Sequence, residues 1–145
     1  MTTSDDALVG AIGKASEALQ YVERARGHLY AFHQLMGHAD LEFGTAADLL
    51  EQCGQPVDAK AIRDEIVGRN VLDGRWTFQV VEEFDDLYYR PAVEAVRGLE
   101  RDHLAGERHV YESRMKEQRR TKGRIGHESR PPAASTPMVD LGPDR

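Results

Sequence analysis

Apolar residues recur along the first third of the chain with the period of a coiled-coil helix. Alternate steps of three and four residues from Leu8 reach only apolar side chains, fourteen in succession, in a chain that is 40% apolar. Chance does not account for such a run. A period of 3.5 residues is typical of an α-helix that packs along another helix. These positions, called here the heptad row, are Leu8, Ala11, Ala15, Ala18, Val22, Ala25, Leu29, Phe32, Met36, Ala39, Phe43, Ala46, Leu50 and Cys53.

Start and stop signals flank the heptad row. Ser4, Asp5 and Asp6 supply a cap and negative charge for a helix N-terminus, and Gly54 followed by Pro56 is typical of a helix end. The pattern therefore predicts one helix over residues 5–53, roughly 73 Å long at 1.5 Å per residue.

Two glycines inside this stretch leave an alternative open. Gly37 and Gly44 lie off the heptad row and weaken the helix without filling its contact face. The alternative to a continuous rod is a break at Gly37 or at Gly44, with Thr45 as the cap of a new helix.

A second arm of similar length follows. Pro56 suits the first turn of a short helix over residues 56–69. A helical stripe from Trp76 then runs to Pro91 and continues to about Thr121, which makes residues 75–121 roughly 70 Å long if helical. Two arms of equal length predict an all-α fold, an antiparallel long-helix hairpin with the short helix at its tip. This domain covers residues 1–121, and the Pro-rich residues 122–145 are predicted to form a disordered tail.

The composition of the heptad row also predicts self-association. Six of its fourteen members are alanine, which favours close antiparallel packing. Other apolar residues lie beside the row, and a second copy could cover them in a four-helix homodimer. These flanking residues are Ile12, Leu19, Tyr21, Leu35, Leu49, Val81, Tyr88 and Tyr89.

Charge and cysteine content narrow the function classes. The net charge is −6, divided between −10 for residues 1–113 and +4 for residues 114–145. An acidic body repels nucleic acid. The one cysteine, Cys53, excludes an internal disulfide, and its place on the heptad row predicts a buried, inert thiol. The polar N-terminus is unlike a signal peptide and no apolar run is long enough to span a bilayer, so we expect a cytoplasmic protein with no membrane contact.

Histidine and glutamate spacings raise the question of a metal site. A di-iron bundle needs two Glu-x-x-His pairs, and this chain has one, Glu100 with His103. If the arms are in register, His33 lies roughly 12 Å from His103 along the axis. We therefore expect packing histidines with no metal or cofactor. The alternative is a di-iron-like bundle that adds His33, His38 or Glu42 from a second copy.

Two charged segments are candidate partner sites. Residues 76–90 combine an acidic run with Trp76, Phe78, Tyr88 and Tyr89. This pattern favours a solvated face beside core aromatics, and the alternative is a protein-binding surface, since Tyr, Trp and Arg dominate interface hot spots.

The second segment, residues 114–124, is basic and favours a helix C-terminus. The alternative is contact with nucleic acid, which the absence of stacking aromatics weakens. Its basic side chains are Arg114, Lys116, Arg119, Arg120, Lys122 and Arg124.

No catalytic group stands out. Ser113 lies one turn from His109 but lacks a third group to orient the imidazole. Patterned apolar residues account for most of the folded sequence. We therefore expect a non-enzymatic protein–protein interaction or scaffolding module that acts as a dimer.

Overall fold

The computed structural model describes residues 3–132, and these residues are mostly helical. No β-strand occurs among them; Leu72 and Arg75 form an isolated bridge. The prediction of an all-α chain is confirmed. None of the described helices is long and apolar enough to cross a membrane. The elements are α1 (Thr3–Gln52), α2 (Pro56–Glu65), α3 (Thr77–Phe84), a π-helical segment (Asp85–Tyr89), α4 (Arg90–Leu104) and α5 (Val110–Arg119).

Helix α1 is one continuous helix of 50 residues. The break considered at Gly37 or Gly44 does not occur. The Thr45 hydroxyl donates a hydrogen bond to the Leu41 carbonyl oxygen at 3.2 Å, one turn earlier in the same helix, and so caps no new helix. At 1.5 Å per residue α1 is about 75 Å long.

The short helix α2 does not form a tip. Gly54 takes a left-handed conformation with φ of 77°, and Pro56 starts α2 directly after this turn. Helix α2 therefore folds back beside the last turns of α1, where Arg63 forms ion pairs with Asp48 at 2.7 Å and Glu51 at 2.9 Å. The prediction of a helix at the end of two equal arms is wrong, because a glycine turn reverses the chain within a few residues.

The rest of the chain runs along α1 in the opposite direction. Thr77 at the start of α3 contacts His33, whereas Arg114 in α5 contacts Asp6 near the start of α1. The predicted register, in which His33 lies roughly 12 Å from His103 along the axis, is wrong, because His33 contacts Thr77. Because α2 already occupies the end of α1, α3 begins opposite the middle of α1.

The loop between α2 and α3 is tied to α1 and to the start of α3. The Gly68 amide donates a hydrogen bond to Asp40 of α1 at 2.8 Å, and the Trp76 indole donates to the Gly68 carbonyl at 3.1 Å. At the start of α3 the Gln79 side chain accepts from the Trp76 amide at 2.8 Å. These bonds fix where α3 starts.

The helical stripe predicted to continue from Pro91 to about Thr121 is interrupted. Helix α4 ends at Leu104, where Ala105 and Gly106 both take positive φ values and the Gly106 amide bonds back to the Glu100 carbonyl at 2.9 Å. The Ala105 amide donates to the same Glu100 carbonyl, and a 6→1 bond of this kind at a left-handed residue closes a helix. The sequence pattern predicted helix through this point and did not identify Gly106 as a terminator.

The face of α1 that packs on the rest of the chain lies one residue beyond the heptad row. All five buried residues of α1 belong to a row that starts at Val9 and takes the same alternate steps. This row, called the packed face, is Val9, Ile12, Ser16, Leu19, Glu23, Arg26, Tyr30, His33, Gly37, Asp40, Gly44 and Ala47. The expectation that the heptad row lies against the second arm is wrong. None of its fourteen members is buried, and Cys53 is exposed.

The core within residues 3–132 is thin. Its buried apolar members are Val9, Ile12, Leu19, Ala47, Ala59, Val81 and Val96. Three of them, Ile12, Leu19 and Val81, were predicted to lie beside the row and to need a second copy for cover.

Residues after α5 turn back on themselves. Arg120 donates to the His127 carbonyl at 3.2 Å, and the Thr121 amide bonds the His127 ring at 3.1 Å. This turn lies in the predicted tail, residues 122–145, of which residues 133–145 lie outside the described residues.

Candidate interaction surfaces

The widest apolar surface of the described residues is the side of α1 that the chain leaves uncovered. It combines the heptad row with the adjacent row Ala7, Lys14, Tyr21, His28, Leu35, Glu42 and Leu49. Of these 21 positions fifteen are exposed, six are half-buried, and only Lys14, His28 and Glu42 are polar. We call these 21 positions the open face. A helix with two adjacent apolar sides is typical of one that packs against two neighbours.

The largest exposed side chains of α1 concentrate on the open face. Nine large apolar side chains of α1 are exposed, and only Tyr30 and Leu41 among them lie elsewhere. The seven on the open face are Leu8, Tyr21, Phe32, Leu35, Met36, Phe43 and Leu49. Contiguous exposure of this kind is typical of surfaces that meet another molecule.

A groove deepens the open face near the C-terminal half of α1. Its floor contains Phe32, Met36 and Phe43, and Ile66 and Trp76 from the α2–α3 connection form its wall. Its volume is about 830 Å³, and Phe32, Phe43 and Trp76 are each 43–45% exposed. The groove is therefore an apolar channel along the helix.

A polar cluster joins the middle of α1 to the π-helical segment. Arg26 donates two hydrogen bonds to Asp85, at 2.8 Å and 3.0 Å, and both side chains are about three-quarters buried. The guanidinium also lies 4.9 Å from the Tyr30 ring centre and 4.6 Å from that of Tyr89. Tyr89 donates a hydrogen bond to Glu23 at 2.7 Å. We call these five side chains the Arg26 cluster.

Ionisation in the Arg26 cluster follows from these contacts. The hydrogen bonds from Arg26 lower the pKa of Asp85, because they favour its charged form. The bond to Glu23 raises the pKa of Tyr89, because the phenol proton is held between the two oxygens. The cluster thus has fixed charges that hold α1 to the return chain at one register.

The acidic–aromatic segment, residues 76–90, splits between two environments. Asp85 pairs with Arg26 of α1, so the prediction that the acidic side chains of this segment form a solvated face is wrong for Asp85. Glu83 pairs with Arg75 at 2.6 Å, and Asp86 pairs with Arg90 at 3.1 Å. Its exposed apolar side chains are Trp76 at 45%, Phe78 at 46%, Leu87 at 77% and Tyr88 at 58%.

The basic segment 114–124 is partly neutralised within the chain. Arg114 lies 3.1 Å from Asp6, and Arg120 and Lys122 both contact Glu117, at 2.5 Å and 3.7 Å. The hydrogen bond from Arg120 lowers the pKa of Glu117 and keeps it charged. Half of the six basic side chains thus have a carboxylate beside them.

The histidines considered as metal ligands lie apart. His33 hydrogen-bonds the Thr77 hydroxyl at 2.6 Å, and His38 lies 3.7 Å from Glu42 on the exposed surface. Glu100 lines a cavity beside Gly13 of α1, about 30 Å along the helix from His33. Among residues 3–132 no three His, Cys, Asp or Glu side chains are grouped so that they could hold one metal ion.

Glu100 is the most deeply buried ionisable side chain of the described residues. It is 2% exposed and accepts two hydrogen bonds from Arg97, at 2.8 Å and 2.9 Å. Ser16, His109 and Glu112 line the same cavity, whose volume is about 10 Å³. A cavity of this size holds at most one water molecule and has no room for a substrate.

Sequence reasoning missed the Arg26 cluster. Arg26 interrupts the packed face, and a charged residue in a packed row signals that a partner of opposite charge lies opposite. Identifying Asp85 as that partner needs the register, which depends on the turn at Gly54 and the loop at Gly68.

Comparisons with known proteins returned no matching family model, no matching curated protein and no matching solved structure.

Proposed function

We propose that this chain is a non-enzymatic protein–protein interaction module that acts as a homodimer through the open face of α1. In this proposal α1 and the chain from α2 to α5 form an antiparallel hairpin, and two hairpins make a four-helix assembly in the cytoplasm. The observation that carries the proposal is the open face itself, 21 aligned positions of which 20 lie on the 50-residue helix α1 and three are polar.

The thin core supports the same proposal. Seven buried apolar residues among residues 3–132 are few for a helical domain, and four of them are alanine or valine on the short helices or near the end of α1. Burial of apolar area is the main favourable term in folding, at roughly 25 cal/mol per Å². Covering the open face adds the apolar burial that a single chain lacks.

Sedimentation equilibrium of the full chain tests the dimer. The proposal predicts a mass of twice 16.3 kDa at micromolar concentration. Replacing Leu87 and Tyr88 by serine is the matched control, because both are exposed but lie off α1, and the dimer should persist. A mass of one chain over the whole accessible concentration range contradicts the proposal.

A second candidate is a partner-protein site on the acidic–aromatic segment. Phe78, Leu87 and Tyr88 are exposed beside the carboxylates of Glu82 and Asp86. This chemistry suits a basic amphipathic helix. A synthetic helical peptide with arginine and leucine on one face should bind with salt-sensitive affinity, measured by fluorescence anisotropy. Equal binding to the Leu87→Ser/Tyr88→Ser variant would remove this candidate.

A further inference from the structure

Large and small side chains are distributed unequally along the heptad row. Between residues 11 and 25 the row has four alanines and Val22, whereas between residues 29 and 43 it has Leu29, Phe32, Met36 and Phe43 with one alanine. Two copies that meet through this row must fill the space beside the alanines, since protein interiors are close-packed. How the bulky half is placed therefore decides the orientation of the pair.

We propose that two copies pair antiparallel through the open face, with each heptad-row residue from Leu8 to Ala46 opposite the row residue whose number brings the sum to 54. This inference rests on the dimer proposed above and adds its orientation and register. Reversing one helix places the two positions of the heptad repeat opposite each other. The resulting pairs are Leu8–Ala46, Ala11–Phe43, Ala15–Ala39, Ala18–Met36, Val22–Phe32 and Ala25–Leu29.

This pairing matches bulk with space in most layers. The three largest side chains of the row, Phe32, Met36 and Phe43, each lie opposite a valine or an alanine. A parallel pair instead places Phe32 on Phe32 and Phe43 on Phe43, and leaves the alanine half with alanine on alanine. Overpacked layers and voids both destabilise an interface. Volume therefore favours the antiparallel arrangement.

The adjacent row of the open face selects the register. In an antiparallel pair the members of this row meet one another across the seam, at residue numbers that add up to 56. Lys14 then faces Glu42, the two charged positions of the open face, and Tyr21 faces Leu35. Within the described residues Lys14 and Glu42 contact only side chains of α1 itself, Glu17 and His38.

The neighbouring register fits less well. If one helix shifts by one heptad, the numbers of paired residues in the heptad row add up to 61. Leu29 then lies against Phe32, and Lys14 lies opposite Leu49. This shift brings two bulky residues together and leaves both charges beside apolar side chains, which is unfavourable. Charge and volume thus both disfavour this shifted register.

The groove fits this arrangement. Phe32, Met36 and Phe43 form its floor, and the partner segment that meets them is the alanine-rich part of α1 between residues 11 and 22. A row of small residues lets two helix backbones approach closely. The pair has a two-fold axis at residue 27, so one surface is used twice and the assembly closes.

Disulfide trapping tests the orientation and the register together. In a Cys53→Ser background, Ala15→Cys and Ala39→Cys chains are mixed, allowed to exchange and oxidised mildly. The proposal predicts covalent dimers in the mixture and none with either chain alone, because identical positions lie roughly 36 Å apart. The matched register control mixes Ala15→Cys with Ala46→Cys, which meets only in the register of sum 61.

Each outcome decides between alternatives. Covalent dimers of Ala15→Cys alone indicate a parallel pair and overturn the inference, whereas the dimer itself stands. If the mixture of Ala15→Cys with Ala46→Cys forms more covalent dimer than the mixture of Ala15→Cys with Ala39→Cys, the proposed register is overturned. If sedimentation shows a dimer but no mixture forms a covalent dimer, the two copies do not pair through the open face and the inference is overturned. A single-chain mass for the unmodified protein overturns the proposed function itself.

Discussion

The two faces of α1 differ in what their polar side chains contact. On the packed face Arg26, His33 and Asp40 bind Asp85, Thr77 and the Gly68 amide, all on other segments of the chain. On the open face Lys14 and Glu42 pair only with α1 side chains one turn away. The packed face thus gains its register from polar contacts within the chain, whereas the pairing proposed for the open face depends on side-chain volume and on one pair of charges.

This contrast explains why the heptad row, the more apolar row of α1, was wrongly predicted to pack against the rest of the chain. Polar residues on the packed face lower its apparent hydrophobicity although each has a partner. A buried polar group is tolerated when it is hydrogen-bonded. The more apolar row is the one that the single chain leaves uncovered.

The largest effect is expected from a charge in the middle of the open face. In the proposed dimer, Phe32→Asp places a carboxylate against Val22 of the second copy, at two symmetric sites. We expect the dissociation constant to rise by about 100-fold or more, measured by sedimentation velocity. Leu87→Asp, which removes an equally apolar but more exposed side chain off α1, should change it by less than about threefold. Similar effects of both substitutions would contradict a specific role for the open face.

A smaller but distinct effect is expected beside the packed face. A Cβ added at Gly13 would lie 2.9 Å from the Cβ of Tyr111 in α5, whereas one at Gly10 meets nothing within 4 Å. Gly13→Ala should lower the free energy of unfolding by about 1–3 kcal/mol, and Gly10→Ala should raise it by up to about 1 kcal/mol. Urea denaturation at one protein concentration measures both. Equal stabilisation by the two alanines would show that α5 does not pack against Gly13.

The Arg26–Asp85 pair should couple more strongly than an exposed ion pair. A double-mutant cycle with Arg26→Gln and Asp85→Asn should give a coupling free energy of about 1–2 kcal/mol, since both groups are partly buried and bonded twice. The control cycle on Arg63 and Asp48, which are 38% and 65% exposed, should give about 0–1 kcal/mol. Coupling no larger in the first cycle than in the second would contradict the Arg26 cluster.

Acid should remove the contribution of Asp85. The pKa of Asp85 is lowered in the folded chain, so its ionised form stabilises the fold at pH values above its unfolded pKa of about 3.9. This stabilisation is lost as the pH falls from there through the lower folded pKa. The difference in unfolding free energy between the native chain and Asp85→Asn should be constant from pH 7 to about pH 5 and shrink below it. A difference that grows on acidification would have the wrong sign.

The smallest effect is expected from the charges on the open face. Lys14→Glu should raise the dissociation constant of the dimer by roughly 3- to 10-fold at low salt, because two exposed pairs are lost per dimer. Adding Glu42→Lys in the same chain should restore most of the affinity. If the double variant does not recover the affinity, Lys14 does not face Glu42. The register in which paired heptad-row numbers add up to 54 then has no electrostatic support.

Local signals predicted much of the fold. The charged N-terminus, the heptad row and the pair Gly54 and Pro56 placed the ends of α1 within a few residues. The register along α1 was not predictable in the same way. It depends on the left-handed turn at Gly54 and on the bond between Asp40 and the Gly68 amide, a contact 28 residues apart in sequence.

The candidate surface was predictable only in part. The apolar character of the heptad row was evident, but its exposure follows from how α2 to α5 cover α1. Cys53 illustrates this limit, because its position in the row predicted burial and the thiol is exposed. An apolar pattern predicts that a residue is buried. It does not show whether the residue is buried by its own chain or by another molecule.

Thiol labelling of the open face is the most direct test of the central claim. In a Cys53→Ser background, Ala18→Cys lies on the open face and Gln34→Cys lies off it, and both positions are exposed in the single chain. We predict that maleimide labels Ala18→Cys many times more slowly above the dissociation constant than below it, whereas Gln34→Cys reacts at one rate throughout. Equal, concentration-independent labelling of both cysteines would show that the open face stays in contact with water in the assembled protein, and would contradict the account.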